Sequence, residues 1–151
     1  MIVKDESLLS KTRDFHHKIM GFDKSPSAVE KAIQNVENAK LEDFIYIKHE
    51  DFFKTQKGGE EHLHMVFNPP YGERLDIEME SFYSAIGSTL KHKYPGTNAW
   101  MISSNLEALK HIGLRPSRKI KLFNAKLESR FSKYEMYAGT KKTHKLKTKT
   151  N

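Results

Sequence analysis

The chain has 151 residues, 37% apolar and 30% charged, with no cysteine and a net charge of +7. That length supports one domain with a real core, and the composition fits a water-soluble protein with no apolar run near the roughly 18 to 20 residues of a membrane span. The missing cysteines exclude a disulfide framework and thiolate metal sites, and Met1-Ile2-Val3-Lys4-Asp5-Glu6 has no apolar signal core, so a cytoplasmic location is expected.

Helical spacing comes first at Ser7 to Phe15, where Leu8, Leu9, Thr12 and Phe15 share a face. The strand Lys18-Ile19-Met20-Gly21-Phe22 follows and is closed by Asp23. Ser25-Pro26 reads as a helix start, with serine as N-cap and proline in the first turn, and Ser27 with Glu30 is a competing capping box. Val29, Ala32, Ile33, Val36 and Ala39 continue that helix to about Lys40. A second strand, Phe44-Ile45-Tyr46-Ile47-Lys48, leads into His49-Glu50-Asp51-Phe52-Phe53, and the polar loop from Lys54 to Glu61 contains Gly58-Gly59.

The third strand, Leu63-His64-Met65-Val66-Phe67, runs directly into Asn68. Strand, helix, strand, loop, strand at this spacing predicts an α/β fold with a mostly parallel, doubly wound sheet. A helix from about Ile77 to Lys91 carries Phe82, Ile86, Thr89 and Leu90 inward, and Tyr94-Pro95-Gly96 ends it. Asn98 to Ser103 is a buried strand around Trp100. Asn105 caps a short helix from Leu106 to Ile112, stopped by Gly113. Lys119 to Asn124 and Arg130 to Tyr137 alternate like the strands of an antiparallel hairpin.

Charge is unevenly spread. Lys141, Lys142, Lys145, Lys147 and Lys149 lie in an acid-free end and account for five of the +7; this end reads as a disordered tail that either attracts phosphates or only solubilises. From Arg115 to Lys133 seven basic residues face Glu128 alone. That stretch is either an RNA-facing surface or a solvated hairpin face. His62 and His64 share a strand face without a third ligand of clear metal geometry, so no metal is expected.

The segment that carries chemistry is Asn68-Pro69-Pro70-Tyr71-Gly72-Glu73-Arg74. Proline has no N–H and pushes the preceding residue to an extended conformation, so a strand ending this way leaves carbonyls without ladder partners. With the Asn68 side-chain oxygen they form a rigid cluster of acceptors suited to the amino hydrogens of a planar base, beside the stacking face of Tyr71.

The run from Asn68 to Leu75 resembles the substrate-amine signature of class I S-adenosylmethionine-dependent methyltransferases, in the form found in the family that methylates ribosomal RNA at guanine N2. Ser104-Asn105-Leu106 and the segment from Gly113 to Lys119 are similar to that family as well, and the resemblance covers about Lys18 to Thr140. It implies a Rossmann-like sheet with a C-terminal antiparallel hairpin. It also implies S-adenosyl-L-methionine as cofactor and ribosomal RNA as partner. By resemblance, Asn68, Pro69, Pro70 and Tyr71 hold the reacting base. Asp23, at the end of one strand, accepts from the cofactor ribose. Asp51 accepts from its adenine, with Phe52 against the ring, and Asn68 stands beside the methyl. Arg74, Arg115, Arg118 and Lys119 are the expected RNA contacts.

The four-residue core also suits DNA adenine-N6 methylases, and a catalytically inactive RNA-binding module is the alternative from another class. The glycine-rich turn that precedes Asp23 in the family has no counterpart between Met1 and Lys18, and Gly21 is the first glycine. The expectation is therefore a sheet lacking its first strand, with residues 1–140 as a partial catalytic domain, 141–151 as the tail, and a missing N-terminal part as a further partner. Removing that strand would leave two interior sheet edges unpaired.

Overall fold

The computed structural model describes residues 14–72, 77–139 and Lys149. It contains the strands β1 (Ile19–Asp23), β2 (Ile45–His49), β3 (Leu63–Phe67), β4 (Thr97–Ser103), β5 (Arg118–Asn124) and β6 (Leu127–Met136), with helices α1 (Pro26–Asn38) and α2 (Ile77–Lys93). The predicted helix at Ser7 to Phe15 lies outside the described residues except for Asp14 and Phe15, which have no regular structure. Most of the lysine tail is also outside them. No described helix is long and apolar enough to cross a membrane.

The chain divides into two units, one ending at Lys54 and the other beginning at Thr55. In the first, β1 and β2 pair in parallel, Ile19 opposite Ile45 through Asp23 opposite His49, with α1 as the crossover. Ser25 is the N-cap: its Oγ accepts from Ala28 N at 3.4 Å and Pro26 opens the helix, which decides against the Ser27 capping box. Only Val29 of the predicted stripe is buried, while Ile19, Met20 and Phe22 of β1 are about half exposed. Parallel strands normally have both faces covered. Here β1 has a neighbour on one edge alone among the described residues.

The second unit is a four-stranded sheet in the order β3-β4-β6-β5, parallel between β3 and β4 and antiparallel in the β5–β6 hairpin. Thr97, Ala99, Met101 and Ser103 of β4 are buried and alternate with half-buried neighbours, so one face of the sheet carries the core. That core also takes Tyr83, Ile86 and Leu90 of α2, spaced at i, i+3 and i+7. Tyr83 is fully buried where Phe82 was expected, since Phe82 and Thr89 reach only the edge of this face. On the opposite face Trp100 stacks on Phe131 at 4.7 Å, and Val66 is 71% exposed.

Two local details differ from the sequence reading. The short element after Asn105 is a 3-10 turn, Ala108–His111, and it approaches α2 so closely that a Cβ on Gly87 would lie 1.6 Å from the Ile112 carbonyl oxygen. The hairpin strands are joined by Ala125 and Lys126 alone, with Ala125 at φ 53°, so β6 begins three residues earlier than the alternation suggested.

Candidate active site

β3 delivers Asn68 as expected, and the loop that follows is held from below by side chains of α2 and β4. The backbone of Asn68–Tyr71 cannot join a ladder through its two prolines, yet its carbonyls are treated unequally. Tyr83 Oη donates to the Pro70 carbonyl at 3.3 Å and lies 2.6 Å from Ser103 Oγ. Asn105 Nδ2 donates to the Tyr71 carbonyl at 2.7 Å, while Asn105 Oδ1 accepts from Ala108 N at 2.9 Å and caps the 3-10 turn. Ser103 Oγ in turn accepts from Asn105 N at 3.1 Å. Three side chains, Tyr83, Ser103 and Asn105, thus close one network around the loop.

Pro69 is buried, Asn68 is exposed and Tyr71 is half-buried. No described residue hydrogen-bonds the Asn68 side chain or the Pro69 carbonyl. The loop's last two carbonyls are thus tied up, whereas the Asn68 side chain and the Pro69 carbonyl have no partner among the described residues. Glycine at position 72, with φ 64°, lets the chain turn away after Tyr71. Burial raises the Tyr83 hydroxyl above its ordinary pKa, against the lowering effect of its hydrogen bond to Ser103. It therefore stays a donor across the working range.

Asp23 and Asp51 stand together at the carboxyl end of the first unit's sheet, where ligands of open α/β sheets bind. Asp23 Oδ1 accepts from Ser25 N at 2.7 Å, and Asp51 Oδ1 accepts from Phe53 N at 3.1 Å. Asp51 Oδ2 lies 4.0 Å from Lys24 Nζ. Each carboxylate spends one oxygen on its own turn; the second oxygen of Asp51 faces Lys24 at ion-pair distance, and that of Asp23 has no partner among the described residues, so these acceptors fit the hydroxyls of a ribose and the amine of an adenine. Phe52 packs edge-on against Phe53 at 5.4 Å.

Arg115, Arg118 and Lys119 are exposed, and Arg74 falls outside the described residues. Sequence reasoning missed Tyr83 and Ser103 as supports of the loop. The i, i+3, i+7 spacing of Tyr83, Ile86 and Leu90 was the signal for the tyrosine, since a buried phenol must find a partner. Ser103 carried no such signal.

The chain is 32% identical over 138 residues to the ribosomal RNA large subunit methyltransferase K/L of Hahella chejuensis; the match takes in 88% of this chain and 19% of that protein, so the chain spans under a fifth of this relative's length. Among solved structures it resembles SMU.472, a putative methyltransferase complexed with SAH, with TM-score 0.77, 24% identity, and coverage of 89% of this chain and 36% of that one. It also resembles a predicted N6-adenine-specific DNA methylase from Listeria monocytogenes, with TM-score 0.65, 28% identity, and coverage of 78% and 30%. These likenesses show the α/β, Rossmann-like fold of methyltransferases, mostly parallel with an antiparallel hairpin. The model of the RMKL-like methyltransferase domain (UPF0020) matches residues 3–133, and the chain belongs to that family.

Proposed function

We propose that the chain is the part of an S-adenosylmethionine-dependent RNA methyltransferase that grips the target base, and that its substrate is an exocyclic amine, guanine N2 of 23S ribosomal RNA. The observation that carries this reading is a pair of acceptors without a partner among the described residues, Asn68 and the Pro69 carbonyl, on a loop whose next two carbonyls are tied by Tyr83 and Asn105. A ring amine has its lone pair delocalised into the base. Accepting both amine hydrogens at Asn68 and Pro69 draws that nitrogen toward tetrahedral geometry and exposes the lone pair. Tyr71 stacks on the extruded base, a contact of roughly 1 to 3 kcal/mol.

Bound S-adenosylmethionine supplies an electrophilic methyl group on a sulfonium. Asp23 would hold its ribose and Asp51, with Phe52, its adenine. No side chain has to act as a nucleophile, so the residues contribute orientation and exclusion of water. Arg74, Arg115, Arg118 and Lys119 supply phosphate contacts in this reading, and the protein works in the cytoplasm. The glycine-rich turn for the methionine end of the cofactor would come from a further part of the protein, a reading supported by the chain's matching only 19% of the Hahella relative.

The test is transfer of labelled methyl to ribosomal RNA and to DNA by a protein that includes the upstream residues. Labelled ribosomal RNA is expected, and label in DNA alone would favour adenine N6, the activity in the name of the Listeria neighbour. Asn68→Ala should cut turnover roughly 100- to 1,000-fold, the usual effect of removing a preorganised polar contact, with cofactor affinity within about twofold. Equal losses in both would overturn the role of Asn68. A protein that binds cofactor and RNA but transfers nothing would be the inactive module.

A further inference from the structure

The β5–β6 hairpin outruns the rest of its sheet. Ser103, the last residue of β4, is level with Arg130 of β6 and Lys121 of β5. β5 then continues through Leu122, Phe123 and Asn124, so the hairpin projects three residues, roughly 10 Å at about 3.3 Å per residue, past the carboxyl end of β4. Because β3 and β4 are parallel and β5 runs the same way, this is also the end at which β3 releases Asn68. Three strand spacings separate β3 from β5, roughly 14 Å.

The projecting tip is both apolar and basic. Phe123 is 63% exposed, and Leu122 and Leu127 are exposed beside it. Lys121 Nζ lies 5.4 Å from the Phe123 ring centroid, Lys126 occupies the turn, and Arg130 sits opposite Lys121. Glu128 is the one acid here, pairing with Lys121 at 3.1 Å and Arg130 at 3.4 Å. The Arg130 Nε is buried and has no hydrogen-bond partner among the described residues. Single exposed apolar residues are ordinary. An exposed aromatic ring among surplus cations, on the rim that carries the base-gripping loop, is the pairing that binds single-stranded nucleic acid, since every base has a face and every nucleotide a phosphate. A purely apolar protein partner would leave these cations desolvated.

We propose that this tip is a docking surface for the single-stranded RNA flanking the target nucleotide, with one base stacked on Phe123 and phosphates at Lys121 and Lys126. The proposal rests on the RNA-acting reading above and adds a second anchor, beyond Arg115, Arg118 and Lys119. Arg118 and Lys119 lie further back along the edge strand, level with Trp100 and Met101.

Fluorescence anisotropy of the full chain with a short labelled single-stranded RNA tests it without requiring methyl transfer. Phe123→Ala and Phe123→Leu should weaken binding about 5- to 100-fold while Phe123→Trp retains it, as loss of one stacked base implies. Lys126→Ala should lower the salt dependence by about one released counterion. Unchanged melting of the variants establishes that the tip is not needed for folding. Wild-type binding by Phe123→Leu, or a self-association that Phe123→Ala abolishes without changing RNA affinity, would overturn the proposal. RNA binding through Phe123 in a protein that methylates no RNA would sustain this surface and remove the proposed reaction instead, so the two failures are distinguishable.

Discussion

Tyr83 shows what one buried polar group does for the loop. Its hydroxyl bridges Ser103 and the Pro70 carbonyl inside a fully buried environment. Phenylalanine would fill the same space but withdraw that donor, so Tyr83→Phe should cost about 1 to 2 kcal/mol in a denaturant titration. In combination with Ser103→Ala the loss should be less than additive, because both changes remove the same bond. Burial also sets a pH signature, in Tyr83 and in Tyr134, whose hydroxyls are raised above the ordinary value of 10.0. Below pH 10 both residues are protonated, folded or unfolded, and their contribution is fully present. Above it the unfolded chain ionises first, and stability is lost as pH rises toward the folded values. Melting temperature should therefore fall above pH 10, and fall less steeply in Tyr83→Phe; equal slopes would remove this account.

At the scale of elements, contact between α2 and the 3-10 turn depends on one missing side chain. Alanine at position 87 would gain about 1 kcal/mol of helix propensity. It would also drive a methyl group into the Ile112 carbonyl, 1.6 Å from the Cβ position. Backbone must move to relieve that overlap, at about 1 to 3 kcal/mol or more, so Gly87→Ala should be net destabilising. Because the turn is capped by Asn105, which also holds Tyr71, the same change should loosen the loop. Faster amide exchange of Tyr71 and Gly72 would show it, and a stabilised variant would contradict it. Helix α1 was legible for a local reason: Ser25, Pro26 and the Val29 stripe are contiguous signals. The hairpin was legible in existence but not in length, since Leu127 and Glu128 look like turn residues until their partners Asn124 and Phe123 are known.

For the whole molecule, the strand pairings account for most of the departures from an ordinary α/β domain. β1 pairs only with β2 and β3 only with β4 among the described residues, so each of these strands is an edge of its own unit's sheet. Val66, at 71% exposed, and the half-exposed Ile19, Met20 and Phe22 are side chains that a doubly wound sheet would cover. Lengthening the protein upstream, to include a strand ending in a glycine-rich turn, should raise its melting temperature, protect the β1 and β3 amides from exchange, and tighten cofactor binding. Tight binding of S-adenosylmethionine by the 151 residues alone would refute this.

What the sequence determined by itself was whatever is written locally: the order of strands and helices, the caps, the proline-stiffened loop at Asn68 and the acids that close two strands. Those features depend on backbone chemistry within a few residues, and short range is where a single chain is readable. Tertiary structure alone decided that Tyr83 and Asn105 take two of the loop carbonyls, that Asn68 and Pro69 have no such partner among the described residues, and that the Phe123 tip rises on the same rim. Such pairings join residues from 13 to 34 positions apart, and at that separation it is the packing of α2 against β4, together with strand register, that selects the partner.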